Sequence, residues 1–259
     1  MTVTQVESDG ATIAVTDLGG DGPTVVLLHG LAGSSRELMP TAEALSDSFR
    51  VLLIDQRGHG ASTRRPASAS RESYVDDVVR VVRRFADGER VVLVGQSMGA
   101  HTAFLTAAAH PGIVRAVVML EGHAGGSESK ADAEGLGAFF RSWPTPFADE
   151  QAARAFLGES VLTDAWIVDM ERADGGFVPR FDADFMQHTL AAVHEPRWSE
   201  WRSLEASILA VFAESGMFSE QQKAELLATN PRAQRVDIAG ASHDAHLDAF
   251  EQWISVLRD

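Results

Sequence analysis

The chain has no cysteine. Disulfide crosslinks, thiolate metal sites and cysteine nucleophiles are therefore excluded at the outset. Basic residues are also scarce: 22 Lys and Arg stand against 37 Asp and Glu, a formal charge of −15. Nucleic acid and anionic membrane both need a basic surface, so neither is expected as a partner. No apolar run approaches the roughly 18–20 residues that span a bilayer. The opening MTVTQVESDGATIAV lacks the basic start and the continuous apolar stretch of a secretory signal. A cytoplasmic protein acting on a small molecule, as a monomer or homodimer, is the expectation. No H-E-x-x-H or comparable spacing marks a metal site among the histidines, and neither metal nor cofactor is expected. Internal repeats and low-complexity tracts are missing as well.

What is present is enough to fold. A chain of 259 residues with 45% apolar content can bury a full core. Its first 120 residues alternate two patterns. TIAVTDLG, TVVLLHG, FRVLLID, Val91–Val94 and Val114–Leu120 read as strands, several of them continuous apolar runs typical of strands covered on both faces. Between them, the stretches 74–85 and 98–109 follow helical spacing, and the capping-box spacing of Ser34 and Glu37 predicts a helix running to about Asp47. Such alternation implies a mostly parallel sheet with helices on both faces. After Glu121 the pattern changes. Residues 122–204 carry helical patches rich in Ala, Phe and Trp, with no strand run, and read as a helical insertion. Strand SILAVFA, helix 219–229, strand AQRVDIAG and a last helix 245–257 then restore the alternation. The division expected is a core of residues 1–121 and 205–259 and a helical cap of residues 122–204.

One stretch carries the chemistry. In VVLVGQSMGAHTAF a buried strand stops at Gly95-Gln96-Ser97-Met98-Gly99 and a helix follows. A serine hydroxyl needs a base, a group to orient that base and donors for an oxyanion before it can act as a nucleophile. A sharp strand-to-helix turn exposes its Oγ, and small neighbours avoid a clash there, which accounts for Gly95 and Gly99. The positive end of the following helix points at the same place.

LLHGLAGSS, DQRGHGAS, GQSMGA and GASHDAHLDAFEQW, in that order, resemble four motifs of the α/β-hydrolase superfamily. The resemblance covers most of the chain outside the insertion. It implies an eight-stranded, mostly parallel sheet with a helical cap. It also implies Ser97 as nucleophile, His243 as general base, and the backbone N–H groups of Leu31 and Met98 as the oxyanion hole. His246, three residues further on, takes a structural place in the final helix. His29 and His59 hold their glycine-rich loops, and His101, His110, His188 and His194 are given surface or packing roles.

The chain departs from the family at the acid. The usual aspartate follows the strand after the insertion, where this sequence reads Ala213-Glu214-Ser215-Gly216-Met217 and places glycine at the expected position. Glu121, at the end of the strand before the insertion, faces the edge where open α/β sheets bind ligands and is the favoured replacement. Glu214 remains the alternative. The expected function is a serine hydrolase cleaving an ester or lactone through an acyl-enzyme. A C–C bond hydrolase, a thioesterase or a ligand-binding receptor on the same scaffold stand as alternatives. The aromatic content of the cap suggests an apolar, fairly bulky substrate, with Trp143 and Phe185 as candidate pocket residues.

Overall fold

The computed structural model describes residues 1–127 and 130–258. In chain order the elements begin β1 (Thr2–Ser8), β2 (Ala11–Asp17), β3 (Thr24–Leu28), α1 (Met39–Leu45), β4 (Arg50–Ile54), α2 (Arg71–Phe85), β5 (Val91–Gln96), α3 (Met98–Ala109) and β6 (Val114–Leu120). Next come α4 (Lys130–Arg141), α5 (Glu150–Leu157), α6 (Val161–Asp169), the short strands β7 (Glu171–Ala173) and β8 (Gly176–Val178), α7 (Ala183–Val193) and α8 (Trp198–Ser203). The chain closes with β9 (Ser207–Ser215), α9 (Glu220–Thr229), β10 (Ala233–Ser242), α10 (Ala245–Asp248) and α11 (Phe250–Arg258).

Eight strands form one sheet in the order β1-β2-β4-β3-β5-β6-β9-β10. The pairs β1–β2 and β2–β4 are antiparallel, and every later pair is parallel. Side-chain alternation along the strands sorts the core into two layers. Val26, Leu28, Leu93, Val117 and Phe212 pack with α2, α3, α8 and α9 on one face. Val25, Leu27, Val94, Leu120 and Val211 pack with α1 and α11 on the other. A third cluster joins Phe140, Trp143, Phe147, Phe181 and Phe185 of the segment after β6 to Ala32, Tyr74 and Met98 of the sheet layers. This is the eight-stranded α/β-hydrolase architecture expected, and it brings the C-terminal ends of β3, β5, β6 and β9 together.

Four local expectations are corrected. β1 is a strand that its half-exposed, polar sequence did not announce; seven residue pairs to β2 hold it. The ribbon β7–β8 lies in the stretch read as strandless, and three residues per strand are too few to show a period. The helix predicted from Ser34 starts at Met39, because both presumed capping residues are engaged elsewhere. Ser34 Oγ donates to Asp169 Oδ1 at 2.8 Å, and Glu37 Oε1 bonds His246 Nε2 at 2.7 Å. That second contact also gives His246 the structural place expected of it. Finally, the last helix breaks at Ala249 into α10 and α11.

The DQRGHGAS segment is a set of buried polar links. Asp55 accepts from the N–H groups of Ser35 (2.7 Å) and Ala61 (2.8 Å), and a Cβ on Gly60 would fall 2.4 Å from the Asp55 carboxyl carbon. Arg57 donates from Nε and Nη2 to both oxygens of Asp77, each at 2.7 Å, with the two side chains 0% and 3% exposed. Removing one partner of such a pair strands the other charge in the interior. Asp77→Ala is therefore expected to cost about 3–5 kcal/mol, read as a shift of the urea midpoint. The apolar double variant Arg57→Met/Asp77→Leu should lose less than Asp77→Ala alone, and the reverse order would refute this account of the pair.

Candidate active site

The glycines around Ser97 are required by contact. An ideal Cβ on Gly95 would lie 2.3 Å from the Gly99 carbonyl carbon, and one on Gly99 would lie 2.1 Å from Leu28 O. Helix α3 can therefore dock against β3 and β5 only without side chains at those points. Ser97 itself adopts φ 52° and ψ −114°, a sparsely populated conformation that costs about 1–3 kcal/mol for a residue with a Cβ. Two bonds hold it there: its N–H donates to Leu120 O at 2.8 Å, and its carbonyl accepts from His101 N at 3.1 Å. No capping bond from the Ser97 side chain to the helix is formed.

Glu121 follows β6 directly, also at φ 52°, with its N–H donating to Val211 O at 2.9 Å. Its carboxylate is fully buried. Oε1 accepts from Ala213 N at 2.8 Å, and Oε2 accepts from Met217 N at 2.8 Å while lying 3.2 Å from His243 Nδ1. Facing a carboxylate, Nδ1 is the nitrogen that carries the proton, and Nε2 is left as the acceptor of the neutral ring. Gln96, next to the serine, donates from its side chain to His243 O at 3.2 Å and holds that loop against β5.

The glycine at the family's acid position now has a reason. A Cβ on Gly216 would sit 2.3 Å from Glu121 Oε1 and 2.5 Å from its carboxyl carbon. The Glu121 carboxylate occupies the space toward which an aspartate at 216 would project. Glu214, the alternative, is exposed and accepts from Gly240 N at 2.7 Å, which ties β9 to β10. Among the two, the structure brings Glu121 to the histidine.

The loop before α1 lies against the serine. A Cβ on Gly30 would stand 2.1 Å from Gln96 Oε1 and 3.6 Å from Ser97 Cβ. His29 braces this loop: its Nδ1 donates to Gly30 O at 2.7 Å, and its Nε2 accepts from Gln56 N at 3.0 Å. Burial keeps both loop histidines uncharged. His29 is held below the usual imidazole range and His59 is pushed down to about 3. Among the described residues no protein group accepts a hydrogen bond from the N–H of Leu31 or Met98.

Ser97, Glu121 and His243 line one cavity of about 460 Å³. A larger hollow of about 550 Å³ between α4 and α7 shares Ser127 and His194 with it and holds none of the three. The smaller one holds all three, and its wall is more polar than the sequence suggests. His101, His123, His194 and Gln222 face it beside Leu190, Val193, Met217 and Phe218. Neither Trp143 nor Phe185 does. Trp143 packs among Phe139, Phe140, Phe147, Trp166 and Phe181, and Phe185 lies over Gly58, where a Cβ would come within 2.2 Å of its ring. Both fill the third core cluster. Sequence reasoning missed the cavity histidines, although His101 stands four residues after Ser97 on α3, the spacing that shares a helix face. Among the described residues no three His, Asp or Glu side chains are grouped to hold a metal ion.

This fold and this serine turn define a class. The family model described as alpha/beta hydrolase fold matches residues 23–250, and the chain belongs to that family. It is 29% identical over 232 residues to 2-(acetamidomethylene)succinate hydrolase of Mesorhizobium japonicum, a match covering 86% of this chain and 82% of that protein. The crystal structure of E-2-(acetamidomethylene)succinate hydrolase is similar with a TM-score of 0.85 and 25% identity, over 99% of this chain and 98% of that one. A shorter match, 36% identical over 128 residues, is to 2-hydroxy-6-oxononadienedioate/2-hydroxy-6-oxononatrienedioate hydrolase of Cupriavidus pinatubonensis and covers 46% and 43% of the two chains. These relatives are hydrolases. Among the described residues no helix is long and apolar enough to cross a membrane.

Proposed function

We propose that the protein is a serine hydrolase that cleaves a carboxylic ester or lactone of a small molecule through an acyl-enzyme. The observation that carries this reading is the convergence of Ser97, on its strained turn, with the His243–Glu121 pair on one cavity. His243 Nε2 takes the Ser97 proton as Oγ attacks the carbonyl carbon. The N–H groups of Leu31 and Met98 hold the oxyanion, and Glu121 supports the imidazolium. The imidazolium returns its proton to the leaving oxygen as the carbon–oxygen bond breaks. His243 then draws a proton from water, the hydroxide attacks the acyl carbon, and Ser97 leaves with the proton.

The segment 122–204 acts as the cap. It contributes Leu190, Val193 and His194 to the cavity wall, while its aromatic residues anchor it to the core. The substrate is accordingly smaller and more polar than the aromatic content of the cap implied. A second reading, cleavage of an amide on the same machinery, is favoured by the relative whose named substrate carries an acetamido group.

The test is covalent. A fluorophosphonate probe is expected to label the protein once, and peptide mass spectrometry should place the adduct on Ser97. Labelling in the absence of turnover on any ester, lactone or amide of graded size would leave a ligand receptor as the better description. Failure to label a folded protein would remove the nucleophile from the proposal.

A further inference from the structure

His101 lines the cavity with Ser97 but is only 1% exposed, and its Nε2 has no hydrogen-bond partner among the described residues. Its other ring nitrogen is committed. Arg71 Nε donates to His101 Nδ1 at 3.2 Å. A guanidinium offers only donors, so Nδ1 must accept, the ring is neutral and the proton sits on Nε2. Burial, with the nearby Arg71 charge acting in the same direction, holds this imidazole well below its usual range. The wall of the cavity therefore holds a neutral, desolvated imidazole whose buried Nε2–H has no hydrogen-bond partner among the described residues.

Arg71 explains what the donor is for. It is a cation at 0% exposure, and among the described residues no carboxylate hydrogen-bonds to it, the charge of Glu72 acting on it only through space. It donates to His101 Nδ1, to Met98 O at 3.3 Å and to Thr102 Oγ1, and its guanidinium lies 4.3 Å from the centre of the Tyr74 ring. Its Nη1 has no hydrogen-bond partner among the described residues. Burial lowers its pKa to about 10, which leaves it charged at neutral pH. A buried charge with no carboxylate bonded to it is costly, and an anion arriving nearby lowers that cost. His194 Nδ1, on the same cavity, is a second buried ring nitrogen without a hydrogen-bond partner among the described residues. Two carboxylates also face this cavity. Glu121 has its oxygens occupied by Ala213 N, Met217 N and His243, and Asp132 is exposed, with Ser127 Oγ donating to it at 3.1 Å.

We infer that the cavity contains a subsite for a free carboxylate of the substrate, with His101 Nε2–H as its donor and Arg71 as the positioning residue that fixes the donor tautomer. The substrate class is then a monoester, lactone or monoamide of a small dicarboxylic acid. Which bond is cleaved rests on the reading of Ser97 above; the anion subsite does not.

The experiment separates the two. Calorimetry is run with glutarate and with its neutral counterpart glutaramide on wild type, His101→Leu and His101→Gln. Glutarate is expected to bind wild type at least tenfold more tightly than glutaramide. His101→Leu should weaken glutarate about tenfold or more, while His101→Gln, which keeps an N–H donor, recovers part of the loss. In parallel, the kcat/KM ratio of mono-p-nitrophenyl glutarate to p-nitrophenyl butyrate should favour the anionic ester, mainly through KM, and collapse toward one in His101→Leu. Nitrogen-15 spectra of wild type should show His101 as the Nε2–H tautomer at neutral pH, with that proton shifting when glutarate is added. Should neither variant fold, the wild-type comparison still decides. Equal binding of glutarate and glutaramide, or undiminished glutarate binding by His101→Leu, overturns the subsite whatever the esters do. Selective glutarate binding without cleavage of any ester, lactone or amide keeps the subsite and sinks the hydrolase reading.

Discussion

Ser97→Ala is expected to fold normally and to lose about 10⁴-fold or more in turnover, a loss of roughly 5 kcal/mol in transition-state stabilisation. The two halves of that expectation have different origins. The hydroxyl makes no capping bond, so its removal deletes no contact that stabilises the fold. The rate depends on it entirely, because neither the histidine nor the oxyanion donors can form the covalent intermediate alone. The strained backbone adds a second, less obvious result. At φ 52° a Cβ is costly and a glycine is not. Ser97→Gly should therefore be as inactive as Ser97→Ala yet more stable, by about 1 kcal/mol in a denaturant titration. On the proposed mechanism, a serine there is held against stability because the turn exposes its Oγ. Near-wild-type turnover in either variant would end the acyl-enzyme proposal, and a less stable glycine variant would contradict the strain.

Glu121→Gln should lower the rate by roughly two to four orders of magnitude, the upper end corresponding to an aspartate-to-asparagine change in a known triad. The hydrogen bonds say why. Both carboxylate oxygens accept N–H groups, from Ala213 and Met217, and one also serves His243. An amide has only one acceptor. If its oxygen stays on Ala213 N, its NH₂ faces Met217 N–H and donates to His243 Nδ1. That forces the imidazole into the Nε2–H tautomer, which cannot take the serine proton. Glu214→Gln keeps an oxygen for Gly240 N and should change the rate little.

The glycine at 216 allows a sharper test. Gly216→Asp alone should be damaging, since its Cβ would overlap the Glu121 carboxylate. Combined with Glu121→Ala, the same substitution points a carboxylate into the vacated space. Gly216 is not among the glycines with positive φ, so the backbone does not oppose an aspartate there. The double variant is expected to recover at least tenfold over Glu121→Ala, a gain of about 1.4 kcal/mol. If Glu214→Gln cripples the enzyme while Glu121→Gln is nearly silent, the orienting acid is Glu214 and the pairing seen here is not the working one.

Much of this protein follows from local pattern. A run such as Val91–Val94 must be covered on both faces wherever it lies, so β3, β4, β5, β6 and β9 could be read directly. The Gly95–Gly99 turn was equally legible, because its steric demands involve residues a few positions apart and the strand that precedes them. The sequence by itself therefore determined the parallel part of the sheet, the serine turn and the family. It went astray where local signals met distant partners. Ser34 and Glu37 have the spacing of a cap, but Asp169 and His246 claim them from 135 and 209 residues away. Trp143 and Phe185 are aromatic enough for a pocket, but the segment after β6 packs against the core through them. Position alone could nominate both Glu121 and Glu214; only the packing of β6 against β9 put one beside His243 and the other on β10. The cavity wall was least legible of all. His101, His123 and His194 come from an α-helix, the loop after β6 and the end of α7, and nothing in their neighbours' sequence announces a shared surface. Strand period and turn sterics act over a few residues. A cavity exists only after elements a hundred residues apart have packed, and that is what the tertiary structure alone decided.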